Sequence, residues 1–333
     1  MKRYVIIFVL VIVCSFFIHS WLISIGLFPL AASAQSVPID QLFNVHLWII
    51  SALFSLIMVT LVYSLIVFRL RKGETGDGAH MTGNSTLEIA WTGIPLLAVL
   101  VLAFAGARTL GEIRVIDPSA LQVKVTAGQW FWQYTYPEYG VASSDLYLPV
   151  SRQVDLQMTS TDVIHSFWVP EFRVKQDIVP GRTVELRLTP TLIGLYKVRC
   201  AELCGLRHAY MEGLVNVVSQ TDFANWISQQ QSAAPASPEL RGELLASQYG
   251  CLNCHSTDGS IKTGPTWLRL SGSNVKLTDG STVVADDDYL RTAIVSPNTQ
   301  VVSGFVANVM PDFSTVLDQT MVESLVAYIK TLK

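Results

Sequence analysis

The sequence predicts a multi-domain membrane protein with a two-helix transmembrane hairpin, an all-β Greek-key domain and a C-terminal domain that ends in a helix. Three observations support this prediction. Apolar residues are concentrated in residues 1–107, short β-prone runs alternate with turn residues over 115–218, and an amphipathic pattern closes the chain. Only 15% of the 333 residues are charged and the net charge is −3, so the composition gives no indication of nucleic-acid binding.

Residues 1–34 are expected to be either a signal peptide or a first transmembrane segment. Lys2 and Arg3 precede an uncharged stretch that ends in Ala32-Ser33-Ala34, a small-x-small pattern typical of a signal-peptidase site. The uncharged stretch is about twice as long as the usual apolar core of a signal peptide. A retained first helix therefore stays open as the alternative.

Residues 40–108 are predicted to form the transmembrane hairpin. Leu42–Phe68 contains no charged residue and is long enough to cross a bilayer core of about 30 Å, and Ile89–Ala107 is just sufficient. Arg69, Arg71 and Lys72 lie between the two spans. Positive charge in a short loop marks the cytoplasmic side, so the chain beyond the hairpin is expected outside.

Glu88 lies at the cytoplasmic edge of the second predicted span. A carboxylate at this place favours the positive end of the helix dipole. An acid at the membrane boundary can also form the mouth of a proton path. The residue type alone leaves both interpretations open.

Residues 109–228 are predicted to form the β-domain, in which Trp132, Tyr134 and Tyr136 follow the period of two of a half-buried strand. These aromatic residues are expected to pack between strands. Pro180-Gly181 and Pro190 supply turns. No helix longer than one or two turns is expected over 115–218.

The stretch CAELCGLRHAYM at 200–211 contains four residues that bind soft metal ions. Thiolate, thioether and imidazole groups together suit copper, and two thiolates can bridge two copper ions if each ion has its own histidine. His165 is the only other histidine between residues 108 and 207. A disulfide or a zinc site is the alternative, but neither requires a methionine. The four residues of the stretch are Cys200, Cys204, His208 and Met211.

Residues 229–238 are polar and rich in Ala and Pro, and they are expected to form a linker to a last domain over 239–333. This domain contains Cys251-Leu-Asn-Cys254-His255, the Cys-x-x-Cys-His pattern of covalently attached haem c. In that pattern the two cysteines form thioethers and the histidine binds iron. A thioredoxin-type pair is the alternative, but it requires no following histidine and belongs in a βαβ context.

The second axial ligand of the iron is expected to be Met310. Methionine is a usual axial ligand in cytochromes c, where it raises the reduction potential. Met310 precedes a proline in a loop, whereas Met321 lies within the amphipathic C-terminal helix.

The apolar hairpin and the motifs QWFW, DVIHSFWVP, DIVPGR and CAELCGLRHAYM resemble subunit II of the haem-copper cytochrome c oxidases over residues 40–230. This resemblance implies a cupredoxin-like fold for the β-domain and a binuclear copper A site of two copper ions. Residues 239–333 resemble the class I cytochromes c, which implies an all-α fold with one haem. The implied copper ligands are His165, Cys200, the Glu202 carbonyl oxygen, Cys204, His208 and Met211.

The resemblance also implies roles for three further side chains. The Glu202 carboxylate would reach a magnesium ion shared with the large catalytic subunit I. Trp130 would match the residue at which electrons arrive, and Glu88 the acid at the entrance of a proton channel. Leu206-Arg207, between Cys204 and His208, is interpreted as permitted variation.

The implied function is that of the electron-input subunit of an aerobic respiratory oxidase in the bacterial plasma membrane, with the copper and haem domains on the outer side. Electrons would pass from an external donor, such as a cytochrome c, through haem c and copper A to subunit I, which reduces O2 to water and pumps protons. The expected partners are subunit I, further oxidase subunits, the donor and membrane lipid. The alternatives are the electron-input subunit of a copper A-containing nitric oxide reductase and a free-standing copper-delivery protein.

Overall fold

A computed structural model describes residues 2–70, 72–73, 80, 82–232, 237–314 and 316–333. Arg71 of the predicted cytoplasmic loop and residues 233–236 of the predicted linker lie outside the described residues. The chain divides into two compact units. The first consists of Met1–Ala31 and Gln35–Val115, and the second of Ala32–Ala34 and Ile116–Lys333.

The first unit contains helices α1 (Lys2–Ser24), α2 (Ser36–Val67) and α3 (Ser85–Ile113). All three helices are long and apolar enough to cross a membrane. The predicted fold class is confirmed, but the helix count of the predicted hairpin is corrected from two to three. The reason is that the uncharged stretch after Arg3 exceeds the roughly 20 residues that a spanning helix needs.

Helix α1 packs against α2 through a polar and aromatic contact. The ring of His19 stacks on that of Trp48 with centroids 3.8 Å apart, and His19 Nε2 lies 2.9 Å from Asn44 Oδ1. Most of the apolar side chains of these helices are exposed, as expected for surfaces that face lipid.

The β-domain is a sandwich of two five-stranded sheets with the orders β3-β2-β1-β5-β8 and β4-β10-β9-β6-β7. Strand β1 is antiparallel to β2 and parallel to β5, while β10 is antiparallel to β9 and parallel to β4. This interleaved order agrees with the predicted Greek-key sandwich. The strands are β1 (Leu121–Gly128), β2 (Phe131–Tyr136), β3 (Val141–Ser143), β4 (Leu146–Pro149), β5 (Val154–Ser160), β6 (His165–Val169), β7 (Val174–Ile178), β8 (Val184–Leu188), β9 (Gly194–Cys200) and β10 (Glu212–Val218).

The core of the sandwich follows the period of two in the sequence. Val123 and Val125 of β1 are fully buried, as are Tyr134 and Tyr136 of β2, and Trp132 is 3% exposed. Successive side chains of a strand point to opposite faces, so one alternating set fills the space between the sheets. The predicted packing role of these aromatic residues is confirmed.

A short segment from the start of the chain belongs to the β-domain. Ala32 N donates to Glu171 O and Thr191 N donates to Ala32 O, each at 2.9 Å. Ala34 N donates to Thr189 O, also at 2.9 Å, and the side chain of Ala32 is fully buried. The residues of the predicted signal-peptidase site therefore form backbone hydrogen bonds with the β-domain, and cleavage of residues 1–34 stays a prediction.

Helix α4 (Gln220–Ser232) follows the sandwich and buries Phe223, Trp226 and Ile227. Residues 229–232 of the predicted linker are therefore helical. The next domain contains α5 (Pro238–Gln248), α6 (Cys251–Cys254), β11 (Asn274–Lys276), β12 (Thr282–Val284), α7 (Asp287–Val295) and α8 (Gln319–Thr331).

The regular elements of the C-terminal domain, residues 237–333, are mainly helices as predicted, with one short addition. Strands β11 and β12 form an antiparallel hairpin. Asp279-Gly280 provides its turn, because Gly280 adopts a φ of +88°, which only glycine reaches without strain.

Helices α5 and α8 cross in contact at Gly242. A Cβ built on Gly242 would overlap the carbonyl oxygen of Ser324 and lie 2.7 Å from Tyr328 Cβ. Because this oxygen belongs to the backbone of α8, the overlap could be relieved only if one of the two helices moved as a whole. Glycine at this position therefore allows the close approach of the two helices.

Gly242→Ala should destabilise the C-terminal domain by about 1–3 kcal/mol, the usual cost of overpacking a core. That loss exceeds the roughly 1 kcal/mol that alanine contributes to helix propensity. Calorimetry of the purified protein should show the unfolding midpoint of this domain falling by roughly 5 °C or more. Ser247→Ala, at an exposed position of α5, is the control. An unchanged midpoint in the glycine variant would contradict the proposed close contact.

Candidate metal centre

The predicted copper ligands converge at one edge of the sandwich. Strand β6 begins at His165 and pairs with β9, which ends at Cys200. Cys200 Sγ lies 3.8 Å from His165 Nδ1 and 3.7 Å from Cys204 Sγ. Cys204 Sγ in turn lies 3.5 Å from His208 Nδ1 and 3.7 Å from Met211 Sδ. The structure therefore brings together two thiols, two imidazoles and a thioether.

Backbone hydrogen bonds close the loop formed by residues 200–211, the 200–211 loop. Cys200 N donates to Met211 O at 3.0 Å, and Ala201 N donates to Ser166 O at 3.0 Å. The carbonyl oxygen of Glu202 points into the same cluster and lies 3.2 Å from Cys200 Sγ. The Glu202 side chain is exposed. The loop therefore turns the carbonyl of Glu202 inward and its carboxylate outward.

Most side chains of the cluster are buried, and its two cysteines do not form a disulfide bond. His165 is fully buried, Cys204 and Met211 are 1% exposed, and Cys200 is 8% exposed. The two sulfur atoms lie well beyond the roughly 2.05 Å of a disulfide bond. His165, Cys200 and Cys204 also form a group whose donor atoms lie within 4.8 Å of one another, which is close enough to share a metal ion.

Asp162 fixes the orientation of His165. Its Oδ1 lies 2.8 Å from His165 Nε2, so that this nitrogen donates and Nδ1 faces Cys200 with its lone pair. A carboxylate in this position holds the tautomer and ring plane of a metal-binding histidine. Asp162 was not among the predicted site residues. Its place three residues before His165 was the available signal, but the sequence did not indicate that the chain turns back there.

The two thiols carry one negative charge between them. The hydrogen bond from Cys204 lowers the pKa of Cys200 to about 3. The same bond raises the pKa of Cys204, and burial adds to this effect. A second thiolate therefore needs additional positive charge nearby, which metal ions supply. The donor set fits a pair of soft cations held by two bridging thiolates.

Two side chains at the end of β1 hold the 200–211 loop from outside. Gln129 Nε2 donates to Cys204 O at 2.7 Å, and Trp130 Nε1 donates to the same oxygen at 3.1 Å. Trp130, the predicted electron-input residue, is half-buried. Its hydrogen bond to Cys204 O places it in direct contact with the loop. Gln129 was missed, because its partner lies 75 positions away in the sequence.

The predicted haem residues line one cavity in the C-terminal domain. Cys251, Cys254, His255 and Met310 all face it. Met321, the alternative axial ligand, lies on α8 with its Sδ 3.9 Å from the Tyr249 hydroxyl. The described part of this domain consists of helices with one short hairpin, which differs from the βαβ unit of a thioredoxin-type pair.

His255 is held as a neutral ligand with one nitrogen free. Its Nδ1 donates to Pro265 O at 2.7 Å, which leaves Nε2 unprotonated. Burial lowers the pKa of His255 and so favours the neutral ring. The Trp267 ring stacks on His255 with centroids 5.0 Å apart, and a Cβ on Gly264 would lie 2.7 Å from His255 Cε1. The donor set, the fixed tautomer and the shared cavity fit a haem attached through Cys251 and Cys254.

Glu88 lies in the first turn of α3, within the first unit. Its Oε1 accepts from Asn84 N at 3.2 Å, while Asn84 Oδ1 accepts from Leu87 N at 3.1 Å. This reciprocal pair is a capping box, which satisfies two backbone donors at the helix start. The structure thus gives Glu88 a helix-capping contact, and its role at a proton path stays a prediction.

Two family models match this chain. One, described as the transmembrane domain of cytochrome c oxidase subunit II, matches residues 19–108, and the other, its periplasmic domain, matches residues 141–218.

Several curated proteins are similar to this chain. Cytochrome c oxidase subunit 2 of Synechocystis sp. is 33% identical and covers 66% of this chain and 80% of its own. The same subunit of Thermostichus vulcanus is 34% identical over 65% of this chain and 83% of its own. That of Alkalihalophilus pseudofirmus is 28% identical and covers 86% of this chain and 84% of its own.

Among solved structures, the periplasmic domain of subunit II of cytochrome oxidase of Bradyrhizobium japonicum is 30% identical to this chain. The match covers 35% of this chain and 98% of that chain, with a TM-score of 0.34.

Asp162→Asn should weaken copper binding by roughly 10- to 100-fold, the usual cost of removing a group that orients a metal ligand. The neutral amide keeps the size of the side chain but loses the charge that fixes His165. Copper per chain and chelator competition on the purified protein would measure the effect. Asp145→Asn, a half-buried carboxylate elsewhere in the β-domain, is the control. Wild-type copper affinity in the Asp162 variant would show that His165 is held in place by other contacts.

Proposed function

The chain belongs to the cytochrome c oxidase subunit 2 family, and on that premise we propose that it passes electrons from an external donor through haem c and copper A to the catalytic subunit of a bacterial respiratory oxidase. Membership makes it the electron-input subunit of an oxidoreductase complex, a partner of subunit I and a membrane protein with an outward-facing domain. The finer steps of this function, including reduction of O2 to water and proton pumping in the complex, are proposals.

The observation that carries the proposal is the convergence of sulfur, imidazole and carbonyl donors at the 200–211 loop. We assign the binuclear copper A site to His165, Cys200, the carbonyl oxygen of Glu202, Cys204, His208 and Met211. When bound, copper A supplies a pair of metal ions that shares one electron.

The protein's own groups prepare this site. Cys200 and Cys204 would hold the copper ions as thiolates, and Asp162 orients His165. Burial of His165, Cys204 and Met211 limits the access of water to the cluster, and side chains that are held in place before electron transfer need to move little when the charge of the site changes. The described residues thus provide position and polarity, while the metal ions provide the redox chemistry.

We assign one covalent haem c to the C-terminal domain, attached at Cys251 and Cys254 with His255 and Met310 as axial ligands. The common cavity and the neutral, oriented His255 support this assignment.

Glu202, Trp130 and Glu88 have further proposed roles. The exposed Glu202 carboxylate is available for a magnesium ion shared with subunit I. The contact of Trp130 with Cys204 O supports its role as the electron-input residue. Glu88 is proposed as the acid at the entrance of a proton path in addition to its capping contact.

The proposed domains keep their predicted bounds: a signal peptide or first span (1–34), the helical hairpin (40–108), the copper A domain (109–228), the linker (229–238) and the cytochrome c domain (239–333). The bacterial relatives support a location in the plasma membrane, with lipid around the helices. Further oxidase subunits and a cytochrome c or similar external donor complete the proposed set of partners.

Purification of the complex from membranes provides the test of this function. We expect haem c on this chain, two copper ions in its β-domain and O2 consumption with a reduced cytochrome as donor. Turnover with nitric oxide but not with O2 would assign the chain to a nitric oxide reductase instead. The relatives are oxidase subunits by name, and nothing in the described residues favours that alternative or a copper-delivery protein.

Met310→Ala should leave the haem attached through its two thioethers but lower its reduction potential, because methionine ligation raises the potential of a His-ligated haem. The fall should be a sizeable part of the roughly 0.8 V range that axial ligands set. Redox titration of the purified complex measures it. Met321→Ala serves as the matched control, and a lower potential in the control alone would transfer the axial role to Met321.

A further inference from the structure

Phe131, at the start of β2, is buried in the apolar core of the C-terminal domain. Its ring lies 5.5 Å from that of Tyr249 in an edge-to-face contact and 6.4 Å from that of Phe313. Only 5% of Phe131 is exposed. A buried aromatic side chain that crosses from one domain into another is a typical anchor of an interface. The β-domain and the C-terminal domain are therefore joined by packing as well as by the chain between them.

The residue before this anchor contacts the 200–211 loop. Trp130 Nε1 donates to Cys204 O, and the Trp130 backbone lies against the start of the haem motif. A Cβ built on Gly250 would lie 3.1 Å from Phe131 Cβ and 3.5 Å from Trp130 O. Trp130 and Phe131, which are adjacent in the β-domain, together contact the 200–211 loop and the start of the haem motif.

Arg207 makes a second connection between the two centres. It lies within the 200–211 loop, directly before His208, and its Nη1 donates to Thr263 Oγ1 at 2.9 Å. Thr263 precedes Gly264, the residue packed against His255. The guanidinium of Arg207 also lies 5.4 Å from the centre of the Tyr210 ring, which limits its orientation.

The β-domain forms part of the wall of the cavity in the C-terminal domain. The residues that line it include the haem-binding cysteines together with Gln129, Trp130 and Arg207 of the β-domain. The wall that the β-domain contributes is thus the surface that also holds the 200–211 loop. No other side chain of that loop lines the cavity within the described residues.

We propose that Phe131 and Arg207 hold the C-terminal domain docked on the 200–211 loop, and that Arg207 is a positioning residue for electron transfer between the domains. The inference rests on the proposed function, in which the haem iron is oxidised by one electron and the copper pair is reduced by one, with no bond made or broken. The rate of such a transfer falls steeply with distance. A contact that fixes the spacing therefore controls the rate without changing either set of ligands.

A double-mutant cycle on the purified complex tests the Arg207 contact. Arg207→Ala removes the donor on the copper side, and Thr263→Val removes the acceptor on the exposed haem side. Arg207→Lys retains the positive charge. The controls are Arg241→Ala and Thr282→Val, at exposed positions of α5 and β12. Hydrogen exchange of residues 129–131 and 249–264 reports docking, and haem oxidation after flash reduction reports electron transfer.

We expect each single variant to slow the one-electron transfer at least tenfold and to raise hydrogen exchange at the interface. The double variant should be no slower than the slower single one, because both act through one contact. The lysine variant should recover part of the rate. Copper content should remain that of the wild type. Arg207→Lys and Thr263→Val should also keep both reduction potentials, because neither variant removes the positive charge at position 207.

Wild-type exchange and transfer rates in Arg207→Ala would overturn the inference, as would additive effects in the double variant. A changed copper content would show that Arg207 supports His208 instead, which also overturns the positioning role. Phe131→Leu tests the anchor with little loss of volume, and it should raise exchange on both sides of the interface. A wild-type complex that lacks haem or copper would refute the proposed function, whereas the exchange comparison would still decide whether the domains dock.

Discussion

The pairing of β6 with β9 is the constraint on which the metal centre depends. It places His165 beside Cys200, although the two residues are 35 positions apart in the sequence. The hydrogen bond from Cys200 N to Met211 O then closes the 200–211 loop, and the other donors follow from the spacing within that loop. A rigid sandwich supplies the fixed edge and the loop supplies the ligands. Once the strand register is fixed, few further contacts are needed to bring the donor atoms together.

The sequence predicted those parts of the protein whose determinants are local. The residues from Cys200 to Met211 and the Cys-x-x-Cys-His motif each lie within one short segment of the chain, so their chemistry was evident from residue types alone. His165 was found because no other histidine was available. Asp162, Gln129 and the cross-domain burial of Phe131 were missed, since each depends on how distant segments meet. The number of long apolar helices was short by one, because residues 1–34 were counted apart from the hairpin, as a signal peptide or a first span.

The contacts of the C-terminal domain change how the polar stretch before it, residues 229–238, is interpreted. Residues 229–238 suggested a tether, but helix α4 extends to Ser232 and Phe131 is inserted into the core of the following domain. A tether alone raises the effective concentration of a partner, whereas a packed interface also selects one orientation. The architecture thus combines covalent connection with a specific geometry between the two proposed redox centres.

The position of the segment Ala32–Ala34 would link any cleavage at the predicted signal-peptidase site to folding of the outer domain. Its backbone groups are hydrogen-bonded to Glu171, Thr189 and Thr191, and Ala32 fills part of the core. A protease that recognises an extended substrate needs those backbone groups free. If the predicted leader is removed after Ala34, its removal would therefore have to occur while the outer domain is still unfolded. Once the sandwich has folded, the peptide bond after Ala34 is protected from a protease. Cleavage at this bond would therefore have to precede folding of the outer domain.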